Sequence, residues 1–90
     1  MAWRIEFSKL ARNDLDGLDP QIAKRIVRFL DERVAPLGNP RLIGEALKGQ
    51  TFGAFWKYRV GDYRIVASLE DEVMRVLVVR VGNRREVYRP

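Results

Sequence analysis

The sequence predicts an α+β fold in the order β-α-α-β-β-β. An N-terminal strand, a two-helix hairpin and an antiparallel β-meander form a small mixed sheet with the helices on one face. Three observations carry this. Trp3, Ile5 and Phe7 alternate with Arg4 and Glu6, the period of two expected of a half-buried strand. Ile22, Ile26, Phe29, Leu30 and Val34 recur at helical spacing. Two strand-like runs are joined by Gly61-Asp62, a two-residue hairpin signal.

The elements follow in order. After the first strand, Ser8 caps a short helix that closes near Gly17 and carries Leu10, Ala11 and Leu15 on or near one face, with Leu18 just beyond. Asp19-Pro20 opens a second helix over about residues 20–35. The Asp side chain accepts from first-turn amides, and proline at the first helical position loses no hydrogen bond. Residues 36–53 hold Pro36, Gly38, Pro40, Gly44, Gly49 and Gly53 and read as a loop with one helical turn around residues 42–47. Residues 55–60 and 63–69 form the hairpin, Glu70-Asp71-Glu72 the next turn, and residues 73–81 the last strand. The near-continuous run Val76, Leu77, Val78, Val79 and Val81 predicts a strand covered on both faces at the middle of the sheet. A polar tail from Asn83 to Pro90 leaves it.

Ninety residues form one domain, spanning residues 1–90. With 47% apolar and 32% charged residues, the chain can bury a modest core under a hydrated surface. It has no cysteine and no histidine, which excludes disulfides, thiolate metal sites and the commonest general base. No cofactor is expected. No apolar stretch approaches the ~20 residues that span a bilayer, so a soluble, cytoplasmic protein without membrane partners is expected.

Seventeen Lys and Arg against twelve Asp and Glu give a net charge of +5, which favours polyanionic partners. Residues 48–90 hold a net +4 of it, interleaved with Trp56, Tyr58, Tyr63 and Tyr88. Lys57 and Arg59 lie two apart on one strand and share a face with Phe55. Arg64, across the turn, approaches the same region. Three clustered cations without nearby acids cost stability unless an anion comes to them, and such a local cost marks a candidate site. The alternative is a hydrated strand edge on which Arg64 pairs with Asp62, Glu70 or Asp71. Trp56, Tyr58, Ile65 and Val78 are assigned to packing.

Several motifs stand in a fixed order along nearly the whole chain. They are Trp3-Arg4-Ile5-Glu6-Phe7-Ser8 with its helical pair, Leu47-Lys48-Gly49, the hairpin from Trp56 to Val66, and Val81-Gly82-Asn83-Arg84-Arg85-Glu86-Val87-Tyr88. In this arrangement the chain resembles the RelE family of toxins, within the RelE/ParE superfamily of toxin–antitoxin systems.

The resemblance implies a ribosome-dependent endoribonuclease acting on messenger RNA in the A site of the small (30S) ribosomal subunit. The 2′-hydroxyl attacks its neighbouring phosphate and leaves a 2′,3′-cyclic phosphate, without a metal. Lys57, Arg59 and Arg64 match the family's basic hairpin residues, and Arg84 and Tyr88 its tail residues. Tyr88 would act as base with Lys57 or Arg59 assisting, since dense positive charge favours the phenolate. Arg64 would hold the phosphate, and Arg84 would stabilise charge at the leaving group. Asn83 stands where relatives often carry a basic residue or histidine. Lys48, Arg85 and Arg89 are further candidates for RNA contact. The implied partners are a RelB-like antitoxin, the ribosome and its messenger, and operator DNA indirectly through the antitoxin. A ParE-like inhibitor of DNA gyrase on the same fold is the alternative.

Overall fold

The computed structural model describes residues 2–47 and 55–83. They form β1 (Arg4–Phe7), α1 (Lys9–Asp16), α2 (Pro20–Phe29) continued by a π-helical turn (Leu30–Val34), a 3₁₀ turn (Pro40–Leu42), β2 (Glu45–Ala46), β3 (Phe55–Val60), β4 (Tyr63–Glu70), a second 3₁₀ turn (Asp71–Val73) and β5 (Arg75–Asn83). The five strands make one mixed sheet in the order β1-β5-β4-β3-β2, with β1 parallel to β5 and every other pair antiparallel.

Both helices begin as expected. Ser8 Oγ accepts from the Ala11 amide at 3.1 Å, and Asp19 Oδ1 accepts from the Gln21 amide at 2.8 Å. Helical structure runs on to Val34, and Ile26, Leu30 and Val34, four residues apart, are fully buried. They meet Tyr58, Ile65, Ala67, Val76, Val78 and Val81 from the sheet, so the core lies between the helices and one sheet face.

Two expectations need correction. The loop after α2 contains a strand: β2 pairs Glu45 with Lys57 and Ala46 with Trp56, and the helical turn lies earlier, at Pro40–Leu42. A two-residue strand leaves no period to read. The middle strand is β4; β5 lies beside it, between β4 and β1.

The apolar run of β5 has a local cause. The ladder with β4 shifts register between Val66 and Ala67: Ala67 opposes Val78 while Val66 opposes Arg80. Val79 is the extra residue of a β-bulge, and a bulge inverts the alternation beyond it. Val76, Val78 and Val81 therefore all reach the core, whereas strict alternation would have put Arg80 there in place of Val81. Alpha-helix α1 secures the bulged edge where β1 ends. Ser8 Oγ donates to the Val79 carbonyl at 3.0 Å. Asp14 Oδ2 accepts from the Val81 amide at 2.9 Å and from Arg80 Nε at 2.9 Å.

Glycine matters at two positions beside the site. Gly61, with φ +59°, opens the turn between β3 and β4, as a type II′ hairpin requires. A Cβ on Gly44 would sit 2.8 Å from Tyr58 Cε1, so only glycine lets the segment leading into β2 cross that ring. Tyr58 is buried, and its hydroxyl donates to the Pro40 carbonyl at 2.8 Å.

Candidate functional site

The hairpin β3–β4 places the basic residues. Arg59 and Arg64 are direct cross-strand partners, and such partners share a sheet face. Alternation puts Lys57 and Phe55 on that face too, while Tyr58 and Val60 are buried in the core. Lys57, Arg59 and Arg64 line a small cleft of about 50 Å³ with Ile43, Glu45 and Tyr58. The structure thus brings together the three hairpin cations.

The three cations sit in different environments. Arg59 is exposed, but Arg64 is only 5% accessible. It lies on the middle strand, with Arg59 beside it on β3 and Gly82 on β5. Among the described residues its one side-chain hydrogen bond runs from Nη1 to the Tyr63 carbonyl at 3.4 Å, and it forms no ion pair. Of the three acids considered as its partners, Asp62 is exposed on the turn and forms no ion pair with it, and the other two are engaged elsewhere: Glu70 accepts from Arg75 at 2.6 and 2.9 Å, and Asp71 from Arg41 at 2.8 and 3.0 Å. These guanidinium contacts hold both carboxyls below their usual range. Burying a charge is costly unless it is compensated. Arg64 faces a second arginine instead.

Lys57 is not remote from acids, as the sequence had suggested. Glu45 Oε2 lies 3.4 Å from Lys57 Nζ, with the lysine side chain 28% and the glutamate 72% accessible. Glu45 was missed because it falls in the apparent loop. Its signal is the β2 pairing, which the sequence does not display. Arg41 was missed as well; it stacks over the Trp56 ring at 5.7 Å and ties the segment before β2 to Asp71. Trp56 is half-buried, and Tyr58, Ile65 and Val78 pack in the core as assigned. Lys48, Arg84, Arg85, Tyr88 and Arg89 lie outside the described residues.

A small mixed sheet backed by two helices, with a cationic cleft on its other face, can grip a phosphate from three side chains. Residues 5–88 match the family model described as the ParE toxin of the type II toxin–antitoxin system parDE. Toxin RelG of Mycobacterium tuberculosis is 32% identical over 89 residues, covering 99% of each chain. Toxin RelE of the same organism is 30% identical over 87 residues, covering 97% of this chain and 87% of the relative. Among solved structures, the RelBE2 toxin–antitoxin complex of M. tuberculosis superposes with a TM-score of 0.84 at 27% identity, covering 96% of this chain and 95% of the other. The intact E. coli RelBE complex gives 0.62 at 25% identity, covering 91% and 96%.

The chain therefore belongs to the RelE/ParE superfamily of type II toxin–antitoxin toxins. Its sheet order and helical pair are those of a RelE-like fold.

Proposed function

We propose that this toxin is a ribosome-dependent endoribonuclease that cuts messenger RNA in the A site. The observation that carries the reading is Arg64: a buried guanidinium with no carboxylate partner among the described residues, directly opposite Arg59. A site that holds two cations together is prepared for an anion, and in a water-poor cleft the attraction is stronger than in solvent.

In the proposed reaction the 2′-oxygen attacks the adjacent phosphorus and the P–O5′ bond breaks, leaving a 2′,3′-cyclic phosphate and a 5′-hydroxyl. Arg64 and Arg59 bind the non-bridging oxygens, whose charge grows in the transition state. Lys57 adds charge once a phosphate draws it from Glu45. Tyr88, as its phenolate, takes the 2′-proton; Arg84 supports the departing 5′-oxygen, which takes its proton from water; both residues belong to the tail. No step draws on a metal or an organic cofactor.

A RelB-like antitoxin is the proposed regulator, acting in the cytoplasm and linking the toxin to operator DNA through its own DNA-binding part. Support comes from structural neighbours solved as toxin–antitoxin complexes. Among the described residues no helix is long and apolar enough to cross a membrane. The match to the ParE model favours a second reading, inhibition of DNA gyrase.

One experiment separates the two. The purified toxin is added to ribosomes programmed with a defined messenger, with the naked messenger in parallel. The nuclease reading expects cuts confined to the A-site codon that vanish with Arg59→Ala. Intact messenger alongside arrested DNA supercoiling would replace it with the gyrase reading.

A further inference from the structure

The two edges of the sheet differ. At β2 the edge is two residues long, whereas at β1 it runs from Arg4 to Phe7 and has β5 alone beside it. The Arg4 amide donates to the Met74 carbonyl and the Ser8 amide to the Val78 carbonyl, each at 2.8 Å. Successive backbone amides of a strand point to opposite sides, so those of Trp3, Ile5 and Phe7 point away from the sheet. Trp3 donates there to the Ala35 carbonyl at 2.8 Å. Among the described residues the Ile5 and Phe7 amides meet no acceptor. Such an edge is a template for a further strand unless something prevents it.

The charges on this edge fit a second copy of it. Ile5 and Phe7 pack toward the core, so alternation puts Arg4 and Glu6 on the opposite face. Their mutual contact of 3.9 Å and that of Glu6 with Arg75 at 3.6 Å are loose, and the side chains stay 62% and 42% accessible. A second β1 laid antiparallel with Ile5 opposite Ile5 sets each Arg4 against Glu6 of the other copy. Sliding it two residues either way sets Arg4 against Arg4 or Glu6 against Glu6, which repel. The favoured register also satisfies the backbone. The two Ile5 residues exchange both their hydrogen bonds, and each Phe7 amide reaches the Trp3 carbonyl of the other copy. The Trp3 amide, the one donor this register leaves over, is already held by Ala35.

We infer that β1 is a self-association edge, through which two copies of this chain pair antiparallel about a twofold axis at Ile5. The contact is isologous, the same patch on both copies, and it joins the two five-stranded sheets into one. The axis passes through the sheet, so both cationic clefts open on the same side. Strands β5 and β4 separate each β3 from the joint, which leaves Lys57, Arg59 and Arg64 clear of it.

Sedimentation velocity of the purified full chain over a concentration series, with amide hydrogen exchange followed by NMR, tests this. The unaltered chain is expected to approach twice the monomer mass, and the Ile5 and Phe7 amides to gain protection as the dimer forms. Arg4→Glu and Glu6→Arg each bring like charges face to face and should weaken self-association about tenfold or more. An equal mixture of the two variants restores both opposite-charge contacts and should dimerise as the unaltered chain does, a rescue that loss of folding in either variant would not permit. A chain that stays monomeric at every concentration would overturn the inference and make Arg4 and Glu6 guards against pairing. Dimers whose Ile5 and Phe7 amides exchange freely would overturn it by placing the interface elsewhere. Monomers in which those amides become protected only on coexpression with the antitoxin would give the edge to an antitoxin strand instead.

Discussion

Arg59 and Arg64 face each other across the β3–β4 ladder, one exposed to solvent and the other 5% accessible. The pair destabilises the free protein, because like charges opposed on a sheet repel and the buried member is uncompensated by a carboxylate among the described residues. Replacing Arg64 with methionine, of similar length and no charge, should therefore raise stability by about 1 kcal/mol, or about 4–8 °C in Tm for a domain of this size. The same variant should lose RNA binding. A lowered Tm in thermal denaturation would mean that Arg64 is a structural cation.

Phosphate contacts give RNA affinity a salt dependence of about −0.7 per contact for single strands. With Lys57, Arg59 and Arg64 engaged, log K against log salt should fall with a slope of about −2. Arg59→Ala should make it shallower by about 0.7 while leaving stability within about 0.5 kcal/mol. Fluorescence anisotropy across a salt series reads the slope, and an unchanged slope in Arg59→Ala would remove that residue from the interface.

Glu45 competes with any incoming phosphate for Lys57, from 3.4 Å away. Glu45→Gln should tighten RNA binding several-fold at low salt and change stability by less than about 1 kcal/mol, as expected for an exposed pair. The gain should shrink toward high salt. Equal affinities for both proteins at low salt would show that the ion pair does not guard the site.

Asp14 fastens α1 to the end of β5 through Arg80 and the Val81 amide. Asp14→Ala leaves a backbone donor and a guanidinium without their acceptor, at an expected cost of about 2 kcal/mol in urea denaturation. Asp14→Asn keeps an acceptor and should lose less. Equal losses in the two variants would point to helix packing as the source.

Burial pushes the Tyr58 phenol up from 10 to about 12. A raised folded-state value means that the stabilisation is fully present below pH 10 and is lost as the pH rises from 10 toward 12, where the unfolded chain ionises more readily. Tyr58→Phe should weaken the protein at neutral pH by about 1–3 kcal/mol, by leaving the Pro40 carbonyl without its donor. It should also flatten the stability profile between pH 10 and 12. A profile as steep as that of the unaltered protein would assign the alkaline transition to other groups.

Local signals were enough for the elements with many residues per period. The alternation at Trp3, Ile5 and Phe7, the caps at Ser8 and Asp19, the buried stripe of Ile26, Leu30 and Val34, and the Gly61-Asp62 turn are all read from neighbours within a few positions. The same proximity brought Lys57, Arg59 and Arg64 together on paper, since a two-residue turn fixes which strand residues face one another.

Tertiary structure alone decided what required distant partners. Strand β2 exists only as a two-residue pairing with β3, so Glu45 beside Lys57 left no trace in periodicity. The bulge at Val79 shows only when β5 is set against β4, and it puts Val81 in the core and returns Arg80 to Asp14. Arg64 has a strand on either side of it only because β5 crosses back from the far end of the chain to lie between β4 and β1. Charge type and spacing are properties of the sequence; desolvation is a property of the assembled sheet, because the neighbours that exclude water come from elsewhere in the chain.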